Sequence, residues 1–200
     1  MDVVLQTPVR RRGDKTRQDI MDAALDLFEE RGYASSTVPE IAERAGIATG
    51  TIYIYFKTKE ALVNALYQYW RSDFSNIVYA GTELYTPGEE QITTVWQAMA
   101  SYAERNRKGT SFLVLHRHAG YLDEESQRLE SEIYTKSIDW VKWNIRKGVF
   151  GPQADHIAVG LVWGCLTGFL KFSMDLEGEE KQKSINAYGA AIWRALKPPC

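Results

Sequence analysis

The chain has 200 residues, 44% of them hydrophobic and 25% charged, with a formal net charge of -2. That length and apolar content can bury a core, either as one large domain or as a small one joined to a larger one, and the near-neutral balance excludes a wholesale polyanion binder, so any nucleic-acid surface must be local. Cys165 sits inside an apolar stretch and Cys200 is the last residue. The pair shows no C-x-x-C spacing, which excludes a disulfide framework and a zinc or redox motif and fits a reducing cytoplasm.

In the segment "MDVVLQTPVRRRGDKTR" the basic residues follow a short apolar stretch, the reverse of a signal peptide's order, so no secretion is expected. Arg10, Arg11, Arg12, Lys15 and Arg17 stand just before the first helix. They read equally as an arm that enters a minor groove and as a disordered basic tail. From there on apolar residues recur at threes and fours, and no stretch alternates as a strand would. An all-α fold of about nine helices follows. The first runs from about Thr16 to Arg31, with Ile20, Ala24, Leu27 and Phe28 on one face and Gly32 as its stop. The second opens at Thr37, where "TVPE" is a capping box, and ends near Ala45 before Gly46. The third spans Thr49 to Tyr55. A fourth, opened by Thr58, runs to about Tyr79 as a rod of roughly 30 Å. It links two domains, residues 1–57 and 58–200. Beyond the "TPGEE" break, helices are expected at about Glu90 to Arg107, Thr110 to Gly120, Asp123 to Lys147, Asp155 to Met174 and Glu179 to Leu196.

The second and third helices meet at a tight turn. Ile41, Ala42, Ala45, Ile47 and Ile52 fall where such a pair buries its inner faces, with Gly46 free to take the left-handed turn. This is the spacing of a helix-turn-helix, against the alternative of a generic αα-hairpin. With Ile52 inward, Thr49, Gly50, Thr51, Tyr53 and Tyr55 remain for the outer and leading surfaces, where a recognition helix meets double-stranded DNA. Their hydroxyls suit base edges and phosphates, and Gly50 lets the backbone approach the groove wall. Lys59, in the first turn of the fourth helix, is placed to reach backbone phosphate with that helix's N-terminal amides. Lys57 reads either as a second phosphate contact or as a solvated turn lysine.

The segment from Thr16 to Leu66 carries Phe28, Gly32, Tyr33, Thr37, Ile41, Ala42, Ala45, Gly46, Gly50, Thr51, Tyr53, Tyr55, Phe56, Lys59 and Leu62 in one pattern. It resembles the DNA-binding domain of TetR-family transcriptional regulators over about a quarter of the chain. The resemblance implies an operator-binding homodimer, usually a repressor, whose variable helical domain binds a small molecule and releases DNA. It also implies DNA contacts at Thr37 and Val38, besides the third-helix residues and Lys59. Thr49 stands where many members have lysine and Ile54 where a second aromatic is frequent, so a lysine-to-guanine contact does not carry over.

The second half is rich in aromatics. Trp70, Phe74, Trp96, Tyr102, Phe112, Tyr134 and Trp163 read either as ordinary core or as lining for a hydrophobic or aromatic effector. His116, on the apolar side of a short helix, reads as a hydrogen-bonded core histidine or a ligand contact. His118, two residues on, diverges from it, so "HRH" is no metal site. No catalytic constellation stands out, and neither enzyme activity nor a cofactor is expected. The segment His156 to Met174 is nearly long enough to span a bilayer, but Lys171 interrupts it and its flanks are acidic. It reads better as a buried helix than as a membrane span. Its Gly160, Gly164 and Gly168, with Tyr188 and Ile192 on the last helix, are the expected homodimer face, or else serve packing within the chain. In the resembling family the last two long helices pair with their symmetry mates as a four-helix bundle. The expectation is a ligand-responsive DNA-binding regulator in the cytoplasm, with no membrane partner. The alternatives are a DNA-binding architectural protein controlled by a protein partner and without a pocket, and a helical enzyme or binding module in which the N-terminal motif is accidental.

Overall fold

The computed structural model describes residues 12–80, 88–116, 120–152 and 155–199. Arg10 and Arg11 of the basic arm, the break at Thr86 and Pro87, His118 and Cys200 lie outside the described residues. Those described form nine α-helices and no strand: α1 Arg12–Ser35, α2 Val38–Arg44, α3 Thr49–Tyr55, α4 Lys59–Ala80, α5 Glu89–Arg105, α6 Arg107–His116, α7 Glu124–Arg146, α8 Asp155–Phe172 and α9 Gly178–Leu196. They group into two compact units, Met1–Leu66 and Tyr67–Cys200.

In the first unit α1 packs on α2 and α2 on α3. Ile20, Ala24, Leu27 and Phe28 of α1, Ile41 and Ala42 of α2 and Ile52 of α3 are all almost wholly buried. Each of the larger side chains contributes on the order of 1.5–3 kcal/mol by leaving water. Gly32 leaves helical geometry with φ 78° and ψ 159° inside the run of α1, a backbone conformation that side chains with a Cβ rarely adopt. The expected stop there is therefore a kink, and one more turn follows to Ser35. Gly46, at φ 66°, makes the left-handed turn between α2 and α3. The division between the compact units falls inside α4, after Leu66. Leu62, Val63 and Leu66 are buried on the first two turns of the helix and group with the first unit.

In the second unit α5 packs on α6, α8 and α9, and α8 also meets α6, α7 and α9. Trp96 of α5 is fully buried and donates its indole N–H to the Ile185 carbonyl of α9 at 2.7 Å. A Cβ added at Gly189 would stand 3.1 Å from its ring, so this glycine is what lets α9 lie against α5. No helix among the described residues is long and apolar enough to cross a membrane. The segment from His156 onward is α8, buried at Ala158, Val159, Leu166 and Phe169.

Candidate nucleic-acid interface

The helix-turn-helix is fixed by local chemistry. Thr37 accepts the Glu40 amide at 3.4 Å, and the Glu40 carboxylate takes the Thr37 amide at 2.9 Å and its hydroxyl at 2.7 Å. These Thr37 hydrogen bonds, side chain first, hold the Glu40 carboxyl below its ordinary range. Arg31 pairs with the same carboxylate at 2.9 Å, and Arg44 makes a two-pronged bond to Glu30 at 2.6 and 2.7 Å. Both guanidinium groups are thereby committed to bracing α1 against α2. Thr37→Ala is expected to cost about 1 kcal/mol, read as a lower denaturant midpoint at unchanged m-value.

Ile52 is 1% exposed and turns α3 inward, while Tyr53 is 45% and Ile54 72% exposed. At 100° per residue Gly50 and Ile54 lie opposite Ile52, with Tyr53 beside them. Thr49, Thr51 and Tyr55 form half-buried margins of that outward face. Nothing lies within 4 Å of a Cβ placed on Gly50. Ile54 was missed as a candidate, although its position two residues from a buried isoleucine already places it outward.

Other expected contacts are placed differently. Val38 is 8% exposed and belongs to the core through its side chain, because it shares a helical face with Ile41 and Ala42. Only its backbone remains at the head of α2. Arg17 lies with its guanidinium carbon 5.1 Å from the Phe56 ring centroid, and its Nη1 meets the Met21 sulfur at 3.1 Å. It is docked on the α3 to α4 joint with its outer side exposed. Lys59 donates to the Tyr33 carbonyl, and its ammonium lies 4.1 Å from the Tyr33 ring centroid. It clamps the chain just after the Gly32 kink, and its other two N–H bonds are what phosphate can use. Lys57 closes the end of α3 through the Tyr53 carbonyl at 3.3 Å.

Cavities open among the described residues of the second unit. An apolar one of about 60 Å³ is walled by Phe74, Met99, Trp140, Val162, Trp163 and neighbouring valines. A more polar one of about 220 Å³ is lined by Tyr67, Arg71, Leu113, Val114, Glu130, Trp163 and Thr167. Of the expected effector residues, Phe74 and Trp163 line a cavity, and their rings stack at 5.4 Å. Trp96, Tyr102 and Phe112 are core and line neither. Tyr102 instead donates to Asp73 at 2.7 Å, and burial pushes its phenol far above the usual range. His116 is buried, stacked on Phe112 at 4.2 Å and met by the Tyr121 hydroxyl, and burial lowers its pKa. Tyr134 is 37% exposed and lines neither cavity. Trp70 also lines neither: its ring lies flush on Gly109 of α6.

The expected dimer residues separate as well. Ile192 is 1% exposed and packed within its own chain, and Tyr188 lies against Gly168, Trp96 and Phe169. Helical spacing on α9 reports a buried face without saying whose helix covers it. Gly160 and Gly164 do stand exposed, with nothing within 4 Å of an added Cβ.

A helix-turn-helix unit followed by an all-helical unit with internal cavities defines a helix-turn-helix regulatory protein. Comparison with known families names the group: the description of bacterial regulatory proteins of the tetR family matches residues 20–66, and that of the tetracyclin repressor-like C-terminal domain matches residues 62–198. The chain belongs to the TetR family. It is 49% identical over 49 residues to the fatty acid metabolism regulator protein of Bacillus subtilis, covering 24% of this chain and 25% of that one. It is 33% identical over 87 residues to the transcriptional repressor KstR2 of Rhodococcus jostii, covering 42% and 43%. The chain thus spans between a quarter and a half of the length of these relatives. A crystal structure of a tetR-family regulatory protein from Rhodococcus RHA1 superposes with a TM-score of 0.78 at 17% identity, covering 93% of this chain and 99% of that one, which is a likeness of fold.

Proposed function

We propose that the protein is a ligand-responsive DNA-binding regulator of transcription, a repressor that leaves its operator when a small hydrophobic or aromatic molecule enters the second unit. The observation that carries the reading is the outward face of α3. An isoleucine at 72% exposure and a tyrosine at 45% stand beside a bare glycine on a short helix held by its buried Ile52 against a capped and ion-paired α2. A free surface gains nothing from exposing Ile54, whereas a major groove offers it thymine methyls and offers Tyr53 phosphate oxygens. Thr49, Thr51 and Tyr55 serve the margins, and Arg17, Thr37 and Lys59 stand toward the backbone. The apolar cavity, with Phe74 and Trp163 in its wall, supports an apolar effector. The open ridge of Gly160 and Gly164 on α8 supports a homodimer built on that helix, with Ile157 at 58% exposure on the same face.

The test is a gel shift on DNA upstream of the protein's own gene, with medium-chain alkyl ketones and simple aromatic compounds as trial effectors. A sequence-specific shift that an effector reverses is the expected result. A shift indifferent to every effector and to sequence would instead describe an architectural DNA binder.

A further inference from the structure

The polar cavity holds a buried cation that is only partly used. Arg71, on α4, has a side chain only 3% exposed, and its Nε donates to Glu130 Oε2 of α7 at 2.7 Å. The Tyr67 hydroxyl donates to the same oxygen at 3.0 Å. The guanidinium carbon stands 5.0 Å from the Trp163 ring centroid and 5.9 Å from that of Phe74. Its Nη1 is buried and meets no acceptor. Trp163 lines both cavities, so a molecule with its polar end at Arg71 meets an apolar ring that also walls the cavity of Phe74 and Val162. Trp140, in the wall of the apolar cavity, likewise has a buried indole N–H without an acceptor. The unpartnered buried polar atoms on residues lining these two cavities, among the described residues, are therefore both donors.

We propose that the second unit binds an amphipathic ligand whose polar end is an uncharged hydrogen-bond acceptor, such as the carbonyl oxygen of a ketone, ester or amide, held by Nη1 of Arg71. The inference deepens the effector reading above and rests on it. The choice of an uncharged end follows from the pair. Glu130 already balances the Arg71 charge, so the cavity presents a spare donor and no spare charge. A carboxylate arriving at Nη1 is attracted by Arg71 and repelled by Glu130, and against a pair that is already neutral little remains to offset the cost of stripping its water. An ammonium faces Arg71 itself, and Oε2 of Glu130 already accepts two bonds. A neutral carbonyl oxygen satisfies the orphan donor without adding charge, and the stacked Trp163 and Phe74 rings offer apolar surface to the rest of the molecule.

Isothermal titration calorimetry on the full chain tests this with matched probes at two lengths: methyl hexyl ketone, octanoate and octylamine, then methyl octyl ketone, decanoate and decylamine. The ketone is expected to bind about tenfold tighter than the carboxylate or amine of its length. Glu130→Gln keeps the shape of the side chain and leaves the guanidinium charge unbalanced, so it is expected to reverse the order in favour of the carboxylate. The double variant Arg71→Met with Glu130→Gln is expected to remove the preference. A carboxylate or amine that binds the parent as tightly as the ketone overturns the inference and leaves the effector reading standing. Absence of binding by every probe at both lengths overturns both. If a variant fails to fold, the ranking on the parent chain decides.

Discussion

Gly50→Glu is expected to abolish DNA binding while leaving the free protein slightly more stable. Gly50 lies in the first turn of α3 with an ordinary helical backbone, and an added side chain meets nothing in the folded chain. Exchanging glycine for a better helix former gains up to about 1 kcal/mol, and a carboxylate near a helix N-terminus gains about 0.3–1 kcal/mol more. The melting temperature should therefore rise by a few degrees. On DNA the same side chain stands between Tyr53 and the groove wall and brings a negative charge toward phosphates. Affinity for specific and random duplexes alike should fall by about a hundredfold or more. Gly50→Ala separates size from charge, since it keeps the stability gain and adds only a methyl group. Fluorescence anisotropy with a labelled duplex and a thermal melt read the two effects separately. Retention of binding within about threefold in Gly50→Glu would move the interface off this face of α3.

The same residues show what the sequence made legible. The bounds of α3 could be read from Thr49 to Tyr55 because the Gly46 turn and the inward Ile52 punctuate it, and "TVPE" announced a capping box that the structure contains. Val38 was readable too, for it shares the spacing of Ile41 and Ala42. The family pattern assigned it to DNA, and its helical register, left unapplied, places its side chain in the core. The boundary inside α4 left no trace, because Leu62, Val63, Leu66, Tyr67 and Phe74 form one uninterrupted buried stripe that serves two units in turn. The cavity walls were also hidden. Counting aromatics located a hydrophobic unit, but which rings face space and which meet backbone depends on pairings between distant segments. Trp96 is taken up by Gly189 and the Ile185 carbonyl, and Trp70 by Gly109, while valines and Met99 make much of the apolar wall.

The second large functional effect is expected on α4, the helix proposed to carry the effector signal. The helix runs unbroken from Lys59 to Ala80, about 33 Å at 1.5 Å per residue. Its later turns are held by α5, α6, α7 and α8. Gln68 donates to Ser126 of α7 at 3.1 Å and Arg71 pairs with Glu130, Tyr102 of α5 bonds Asp73, Trp163 of α8 stacks on Phe74, and Trp70 rests on Gly109 of α6. Its first turn carries Lys59, clamped to Tyr33. On the proposed reading, an effector lodged against Phe74 and Trp163 would shift α4, and in a homodimer that shift would alter the spacing of the two α3 helices. DNA requires roughly 34 to 36 Å between half-sites one turn apart, or a multiple of it, so a small displacement breaks simultaneous contact. The size of the effect is the effector's differential affinity for the two spacings, and operator DNA must weaken effector binding by the same factor. Trp70→Ala removes the bearing between α4 and α6, and is expected to keep operator affinity while blunting effector-induced release. Gly109→Ala acts in the opposite sense. Its new methyl would overlap the Trp70 ring, which is rigid and sits directly on the helix, so α4 is displaced with no effector present. Operator affinity should fall about tenfold, and effector should add little further loss. Anisotropy titrations with and without effector measure both variants, and sedimentation confirms that each remains a folded dimer. If Gly109→Ala binds operator like the parent and Trp70→Ala still releases it on effector addition, the signal does not travel through α4.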